Sequence, residues 1–113
     1  MKKQFYSHLI SYESIRLEMN GLDLSEKEKD DLLKIVESHV HHTMLDEALS
    51  HVRGEDKKAF LLHVHQEEHD KAMTILRKHT QDIEKHLLQA THVLFEGLRD
   101  DIRELKKKKT QEE

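Results

Sequence analysis

Apolar residues recur at steps of three and four along most of the chain, which is the spacing of one face of an α-helix. The first such stretch covers about residues 3–19, and its apolar positions are Phe5, Leu9, Tyr12, Ile15 and Met19. A glycine directly after a helix can take the left-handed conformation that closes the helix. The pattern therefore predicts a first helix over about residues 3–19 that ends at Asn20-Gly21.

The strongest local signal is the capping box Ser25-Glu26-Lys27-Glu28. Its serine hydroxyl can accept from the backbone N–H of Glu28, and the Glu28 carboxylate can accept from the backbone N–H of Ser25. This motif predicts that a second helix starts there and runs over about residues 26–52, with Gly54 stopping it. Its predicted inward positions are Leu33, Val36, Val40, Met44, Ala48, Leu49 and Val52.

Two shorter helices are predicted next. One runs from Lys57 to about Gln66, and the other covers about residues 70–78. Their apolar positions are Phe60, Leu61, Val64, Met73, Ile75 and Leu76. After them, the segment His79–Asp82 is either a break with Thr80 as an N-cap or part of a helix that runs through it.

The longest apolar stripe lies near the C-terminus and predicts a helix of about 25 residues or more, roughly 38 Å long. It consists of Ile83, Leu87, Ala90, Leu94, Leu98, Ile102 and Leu105. Such a stripe either packs along the chain's own shorter helices or pairs with a copy or a partner. The positions assigned to a partner interface are Ile83, Leu87, Leu94, Leu98, Ile102 and Leu105.

Together these elements predict an all-α protein, a small bundle of four to five helices with a long C-terminal helix. We expect one helical domain over residues 1–105 and a charged, disordered tail over residues 106–113. Composition agrees, because 113 residues with no Pro and three Gly lack the punctuation of a many-stranded sheet or a Gly-rich phosphate loop.

The hydrophobic fraction of 35% lies below the roughly 45–50% of ordinary domains. A thin core follows, and burial of a helix face against a partner would help to stabilise it. The chain has no Cys and no apolar segment long enough to span a membrane, and polar residues interrupt its first apolar stretch, so we expect no export. We therefore expect a cytoplasmic protein without disulfides.

The charges argue against nucleic acid as a partner, since 19 basic and 23 acidic residues give a formal charge of −4. The one basic cluster, Lys106–Lys109, complements the dipole of a helix C-terminus and is a weak patch for nucleic acid or an anionic membrane. Protonation of all 11 histidines would carry the formal charge from −4 to +7, so mild acid would reverse its sign.

The histidine excess raises the question of a metal site, because imidazole is the commonest protein ligand for transition metals. Three pairs place two ligands one helical turn apart: His42 with Asp46, His65 with His69, and His92 with Glu96. In this order they resemble the hemerythrin pattern, in which such pairs on successive helices of a bundle hold a di-iron centre. The resemblance covers about residues 8–96 if His8 also supplies a ligand.

Helical geometry argues against convergence of these pairs. At about 100° per residue, His92 and Glu96 point roughly 130–170° away from the apolar stripe and should face water. His42 and Asp46 lie on the flank opposite Val36 and Val40. The general interpretation is that most histidines are polar surface residues; this group includes His39, His41, His42, His51, His79, His86 and His92.

No catalytic residue is assigned, and we expect no enzymatic activity. The segment His65-Gln66-Glu67-Glu68-His69 differs from the zinc-protease motif, because glutamine stands where the general base belongs. A helix junction is also predicted within it, which would spoil the one-turn spacing of its histidines. No nucleophile elbow, Walker loop or dinucleotide-binding turn occurs.

The overall layout carries a second resemblance. The stretch Gly21–Lys29 before a helix, the segment Asp56–Leu62, a short helix and a last helix opened by Asp82-Ile83 are similar to small helical proteins of unknown function from candidate-phyla bacteria. This resemblance spans about residues 5–105 and implies a small bacterial protein of four or five helices. It brings no activity, ligand or site.

Three hypotheses of function are open from the sequence. The leading one is a non-catalytic helical protein that acts through protein–protein contacts, as a homo-oligomer such as a homodimer or as an adaptor, with no cofactor. The first alternative is a metal-binding bundle, hemerythrin-like or metal-sensing, that holds a divalent transition metal through the histidine and carboxylate pairs. The second is a binding module that responds to pH through its histidines.

Overall fold

Five α-helices and one short 3₁₀ helix make up the part of the chain that the computed structural model describes, residues 4–111, with side chains described over 4–105. The 3₁₀ helix is Ser7–Leu9; the α-helices are α1 (Glu13–Asn20), α2 (Glu26–His51), α3 (Asp56–His65), α4 (His69–His79) and α5 (Ile83–Gln111). No strand occurs within residues 4–111. The prediction of an all-α protein with a long C-terminal helix is confirmed.

The N-terminal segment differs from the single helix predicted over residues 3–19. The chain is extended at Ile10, and α1 begins only at Glu13. Both Phe5 and Tyr6 are buried, and the ring of Phe5 packs edge-on against Phe60 with centroids 5.3 Å apart. Adjacent side chains on an α-helix diverge by about 100°, so burying both residues favours a non-helical path.

The C-terminus of α1 and the N-terminus of α2 are capped in different ways. Gly21 has φ −79° and so does not take the left-handed conformation. Its N–H donates to the Glu18 carbonyl at 3.2 Å, and the Leu22 N–H donates to the Met19 carbonyl at 2.9 Å. At the start of α2 the predicted capping box is confirmed. The Glu28 N–H donates to Ser25 Oγ at 3.2 Å, and the Ser25 N–H donates to Glu28 Oε1 at 3.1 Å.

Helices α3 and α4 form a hairpin whose turn contains a non-glycine residue with positive φ, Glu67 at 62°. The Glu67 N–H donates to the Val64 carbonyl at 3.1 Å, and the Glu68 N–H donates to the His63 carbonyl at 2.8 Å. These two bonds are the Schellman closure of a helix C-terminus, a position that usually carries glycine. The backbone at Glu67 is therefore strained.

Of the two alternatives that the sequence leaves open for His79–Asp82, the structure shows the break, because Thr80 is extended and α5 starts at Ile83. Thr80 does not cap α5, however. The carbonyl of Asp82 accepts from the His86 N–H at 3.2 Å and so opens the helix.

Helix α5 packs antiparallel to α2 and also against α1. Thr91 of α5 is buried beside Met44 of α2, and its hydroxyl donates to the Leu87 carbonyl at 2.9 Å. Of the two uses that the sequence leaves open for the C-terminal stripe, the structure shows burial in the chain's own core for Ile83, Leu87 and Ile102.

The remaining stripe positions are more accessible. Leu94 and Leu98 are partly buried against the same core, and Leu105 is 52% exposed. Since the most buried positions already have partners within the chain, pairing with a second copy through this stripe stays a prediction.

The charged, disordered tail that the sequence predicts over residues 106–113 stays a prediction, because the side chains described end at residue 105. Residues 112–113 lie outside the described residues. None of the helices over residues 4–111 combines the length and the apolar character that crossing a membrane requires.

Candidate metal centre

The exposed pair His92 and Glu96 lies where the helical-wheel argument predicts. His92 Nε2 is 2.9 Å from Glu96 Oε1, and the two side chains are 69% and 57% exposed. No third histidine or acidic residue among the described side chains brings a ligand atom close to both. The pair is a two-ligand chelate on an open helix surface.

The pair His42 and Asp46 is also exposed. The Nδ1–H of His42 donates to the Ser38 carbonyl at 2.9 Å, which turns the ring back along its own helix. No contact between His42 and Asp46 occurs among the hydrogen bonds and ion pairs of the described side chains. Helical spacing alone therefore does not aim this pair at a common point.

The pair His65 and His69 is divided by the helix junction that the sequence predicts. His65 is the last residue of α3, His69 is the first of α4, and the left-handed residue Glu67 stands between them. His69 Nδ1 is buried and has no hydrogen-bond partner within the described part of the chain. None of the six predicted metal ligands joins a group of three ligands in residues 4–105.

A different set of ligands does converge. Glu47 and His51 of α2 and His86 of α5 bring one ligand atom each to within 4.8 Å of one another. His51 Nε2 lies 3.1 Å from Glu47 Oε1, and the rings of His51 and His86 have centroids 4.6 Å apart at an angle of 41°. These three residues are called the α2–α5 triad below.

The packing of the two helices positions the triad. Glu47 and His51 are one turn apart at the end of α2, whereas His86 is in the first turn of α5. Between and beside them, Ala48 and Leu87 are fully buried. A small side chain at position 48 leaves room for α5 to approach, so the histidines meet at the rim of the α2–α5 contact.

The electrostatics of the triad favour a cation. The side chains of His51 and Glu47 are 21% and 33% exposed, so the carboxylate is partly shielded from water. Two protonated imidazole rings at this separation would repel each other across a single carboxylate, whereas two neutral rings present lone pairs. The partial negative charge at the C-terminal end of α2 is offset by the partial positive charge at the N-terminal end of α5, so the Glu47 carboxylate supplies the attraction for a cation.

The separation of the ligand atoms suits a small metal ion after modest side-chain adjustment. Two ligands bound to tetrahedral zinc at about 2.0–2.1 Å are roughly 3.3 Å apart. The Glu47–His51 distance of 3.1 Å is close to that value. The three ligand atoms lie within 4.8 Å of one another, and their side chains are not fully buried, so small rotations would bring the more distant atoms closer. Two histidines and one carboxylate form a known zinc donor set, and the fourth position would face solvent.

Sequence reasoning missed this site. It assigned His51 and His86 to the polar surface and did not consider Glu47. Part of the signal was present, because Glu47 and His51 have the same four-residue spacing as the pairs that were considered. The contribution of His86 depends on the antiparallel packing of α2 and α5, which the periodicity of neither helix specifies.

Two other contacts between histidine and carboxylate brace the α3–α4 hairpin. His79 Nε2 is 2.7 Å from Asp56 Oδ2, and this hydrogen bond, aided by Lys78, lowers the pKa of the Asp56 carboxyl. At the other end, His63 Nδ1 is 3.1 Å from Glu68 Oε1, and Lys71 and His63 lower the pKa of Glu68. Each contact involves one histidine, so neither forms a metal centre.

Comparison of the chain with models of protein families, with curated proteins and with solved structures finds no match.

Proposed function

We propose that this protein binds a divalent transition-metal ion such as Zn²⁺ through Glu47, His51 and His86. The observation that supports this function is the convergence of three ligand atoms from two helices within 4.8 Å. The donor set favours zinc or a neighbouring transition metal over Mg²⁺ or Ca²⁺, because imidazole suits the former and oxygen ligands suit the latter.

Binding at this site would join α2 to α5 at the rim of their contact. A metal that binds the folded chain and not the unfolded chain stabilises the fold in proportion to its free concentration. The ion would replace the Glu47–His51 hydrogen bond and compensate the carboxylate. With one coordination position toward solvent, the bound ion remains accessible to exchange, as metal sensing or storage requires.

This proposal keeps the metal-binding alternative from the sequence but assigns it to different ligands. The leading hypothesis, contact with a protein partner through the α5 stripe, stays a prediction, since Ile83, Leu87 and Ile102 pack inside the chain.

The experiment is a zinc titration of metal-free, tag-free protein in competition with a chromophoric chelator. We expect one ion per chain. His86→Gln should weaken binding at least ~10-fold, equivalent to about 1.4 kcal/mol. His92→Gln is the matched control, because it removes one histidine from the exposed pair and leaves the α2–α5 triad intact.

Two results would contradict the proposal. One is wild-type protein that retains less than roughly a tenth of an equivalent of zinc when the chelator is at its weakest competing concentration. The other is equal loss of affinity in His86→Gln and His92→Gln, which would indicate scattered binding to surface histidines.

A further inference from the structure

A second concave site lies between the N-terminal segment and α2, and it shares no residue with the α2–α5 triad. Its volume is about 150 Å³, the size of an engineered protein cavity that binds benzene. Tyr6, Ile10 and Tyr12 line one side, and Glu37 and His41, one turn apart on α2, line the other. The pocket is therefore large enough for a small organic group.

One side chain supplies the charge of this pocket. Burial, with the nearby Tyr12 and Glu37, raises the pKa of Tyr6, and burial with Glu37 raises the pKa of Tyr12 to about 12, so both phenols are neutral at pH 7. Burial and the neighbouring His42 lower the pKa of His41. Glu37 is the one acidic residue among the residues that line the pocket.

The carboxylate of Glu37 takes part in no ion pair or hydrogen bond within the described part of the chain. His41 is instead engaged with Tyr6, whose hydroxyl oxygen is 3.0 Å from its Nδ1. That contact holds the Tyr6 ring in place and adds no positive charge. The pocket thus combines aromatic walls with one unpaired negative charge.

We propose that this pocket binds a small organic ammonium group, with the Glu37 carboxylate as its counter-charge and the Tyr6 and Tyr12 rings as its walls. A cation near the face of an aromatic ring is attracted by the ring quadrupole, and the attraction grows when water is excluded. A bare Mg²⁺ or Ca²⁺ ion is a poorer match, because such ions take several oxygen ligands. An anionic ligand would be repelled by the Glu37 carboxylate.

The chain carries its own reporter for this site. It has two tyrosines and no tryptophan, and both tyrosines line the pocket. Intrinsic fluorescence and the tyrosine ring signals in NMR spectra therefore report on this pocket. We would titrate the protein with choline and, separately, with its uncharged isostere 3,3-dimethyl-1-butanol, with EDTA present to exclude metal ions.

We expect choline to give a saturable change in the millimolar range and the alcohol to bind at least ~10-fold more weakly. Equal affinity for the two probes would overturn the proposal, since it would show an apolar pocket without cation selectivity. So would the absence of a saturable change with choline up to roughly 50 mM.

Substitutions test separately how much the Glu37 carboxylate and the Tyr12 ring contribute to choline binding. Glu37→Gln keeps the shape of the side chain and should weaken choline binding at least ~10-fold. Glu96→Gln, which removes an equal charge outside the pocket, should bind as the wild type does. Tyr12→Phe should retain binding and Tyr12→Leu should lose it, with circular dichroism as the check on folding; choline binding unchanged in Glu37→Gln would refute the assignment.

Discussion

The α2–α5 triad and the exposed pair on α5 contain the same local element, a histidine and a glutamate one helical turn apart. In the exposed pair, His92 and Glu96 approach to 2.9 Å and remain mostly solvated. In the triad, Glu47 and His51 approach to 3.1 Å, and His86 of another helix joins them. Helical spacing supplies two ligands in both places, whereas only helix packing supplies a third.

In a histidine-rich helical sequence, pairs of this kind therefore need a second criterion. A one-turn pair is a weak signal, because it occurs wherever these residue types are common. A metal site also requires that a neighbouring helix place a third ligand beside the pair, at the same level along the helix axis. That depends on which helices are antiparallel neighbours and on the small or apolar residues that set their separation.

The largest effect on this comparison should come from the packing beneath the triad. Leu87→Ala removes a fully buried side chain next to His86 and should lower the free energy of unfolding by about 2–5 kcal/mol. Leu88→Ala removes an exposed leucine from the adjacent position and should change it by less than about 0.5 kcal/mol. Urea denaturation with circular dichroism measures both, and equal effects would contradict the assigned face of α5.

The next effect is the stabilisation of the fold by zinc. At a free zinc concentration of about 100 times Kd, the wild type should gain about 2.7 kcal/mol of stability. His92→Gln should gain the same amount, and His86→Gln, with an affinity at least ~10-fold weaker, should gain no more than about 1.4 kcal/mol. Thermal unfolding with and without a buffered zinc concentration tests this; a full gain in His86→Gln would remove the distinction between the two sites.

A smaller effect concerns the turn between His65 and His69, two histidines with the same four-residue spacing as the pairs within helices. Glu67→Gly should relieve the left-handed strain there and raise stability by about 1 kcal/mol. Gly54→Ala is the counterpart, because Gly54 has φ 64° and a Cβ there would meet no atom within 4 Å. It should lower stability by about 1 kcal/mol through backbone strain alone. Effects of the same sign would contradict this account of the two turns.

The smallest effect is a change in acid stability at the α3–α4 hairpin. Because His79 and Lys78 lower the pKa of Asp56 from its usual 3.8, the folded state holds fewer protons than the unfolded state near that pH. The contribution to stability is then fully present above about pH 4 and is lost as the pH falls through the lowered pKa. Asp56→Asn should reduce the dependence of stability on pH below about 4. The check is urea denaturation at a series of pH values, with Asp46→Asn as the exposed control.

Much of the fold could be predicted from local sequence. The capping box at Ser25 and Glu28 marks the start of α2, and helical periodicity gave the bounds of α2, α3 and α4 to within a residue or so. The N-terminal break could not be predicted, because it depends on the packing of Phe5 against Phe60, which is distant along the chain. Gly21 closes α1 without a left-handed residue, so glycine alone did not fix the type of turn.

The candidate site was predictable only in part. The spacing of Glu47 and His51 can be read from the sequence, but its significance depends on His86, which packing brings to the same point. The sequence argument was right that His92 and Glu96 face water. It assigned His51 and His86 to the polar surface by the same reasoning, which does not account for the rim of a helix–helix contact.

Zinc is proposed to bind the α2–α5 triad in preference to the other histidines among the 11 in the chain. The most direct measurement is an NMR experiment that correlates the ring nitrogens and ring protons of every histidine, recorded before and after one equivalent of Zn²⁺. The ring signals of His51 and His86 should move together and saturate, while those of His92 stay in place. Movement of His92, or of His42, His65 and His69, without His86 would contradict the claim.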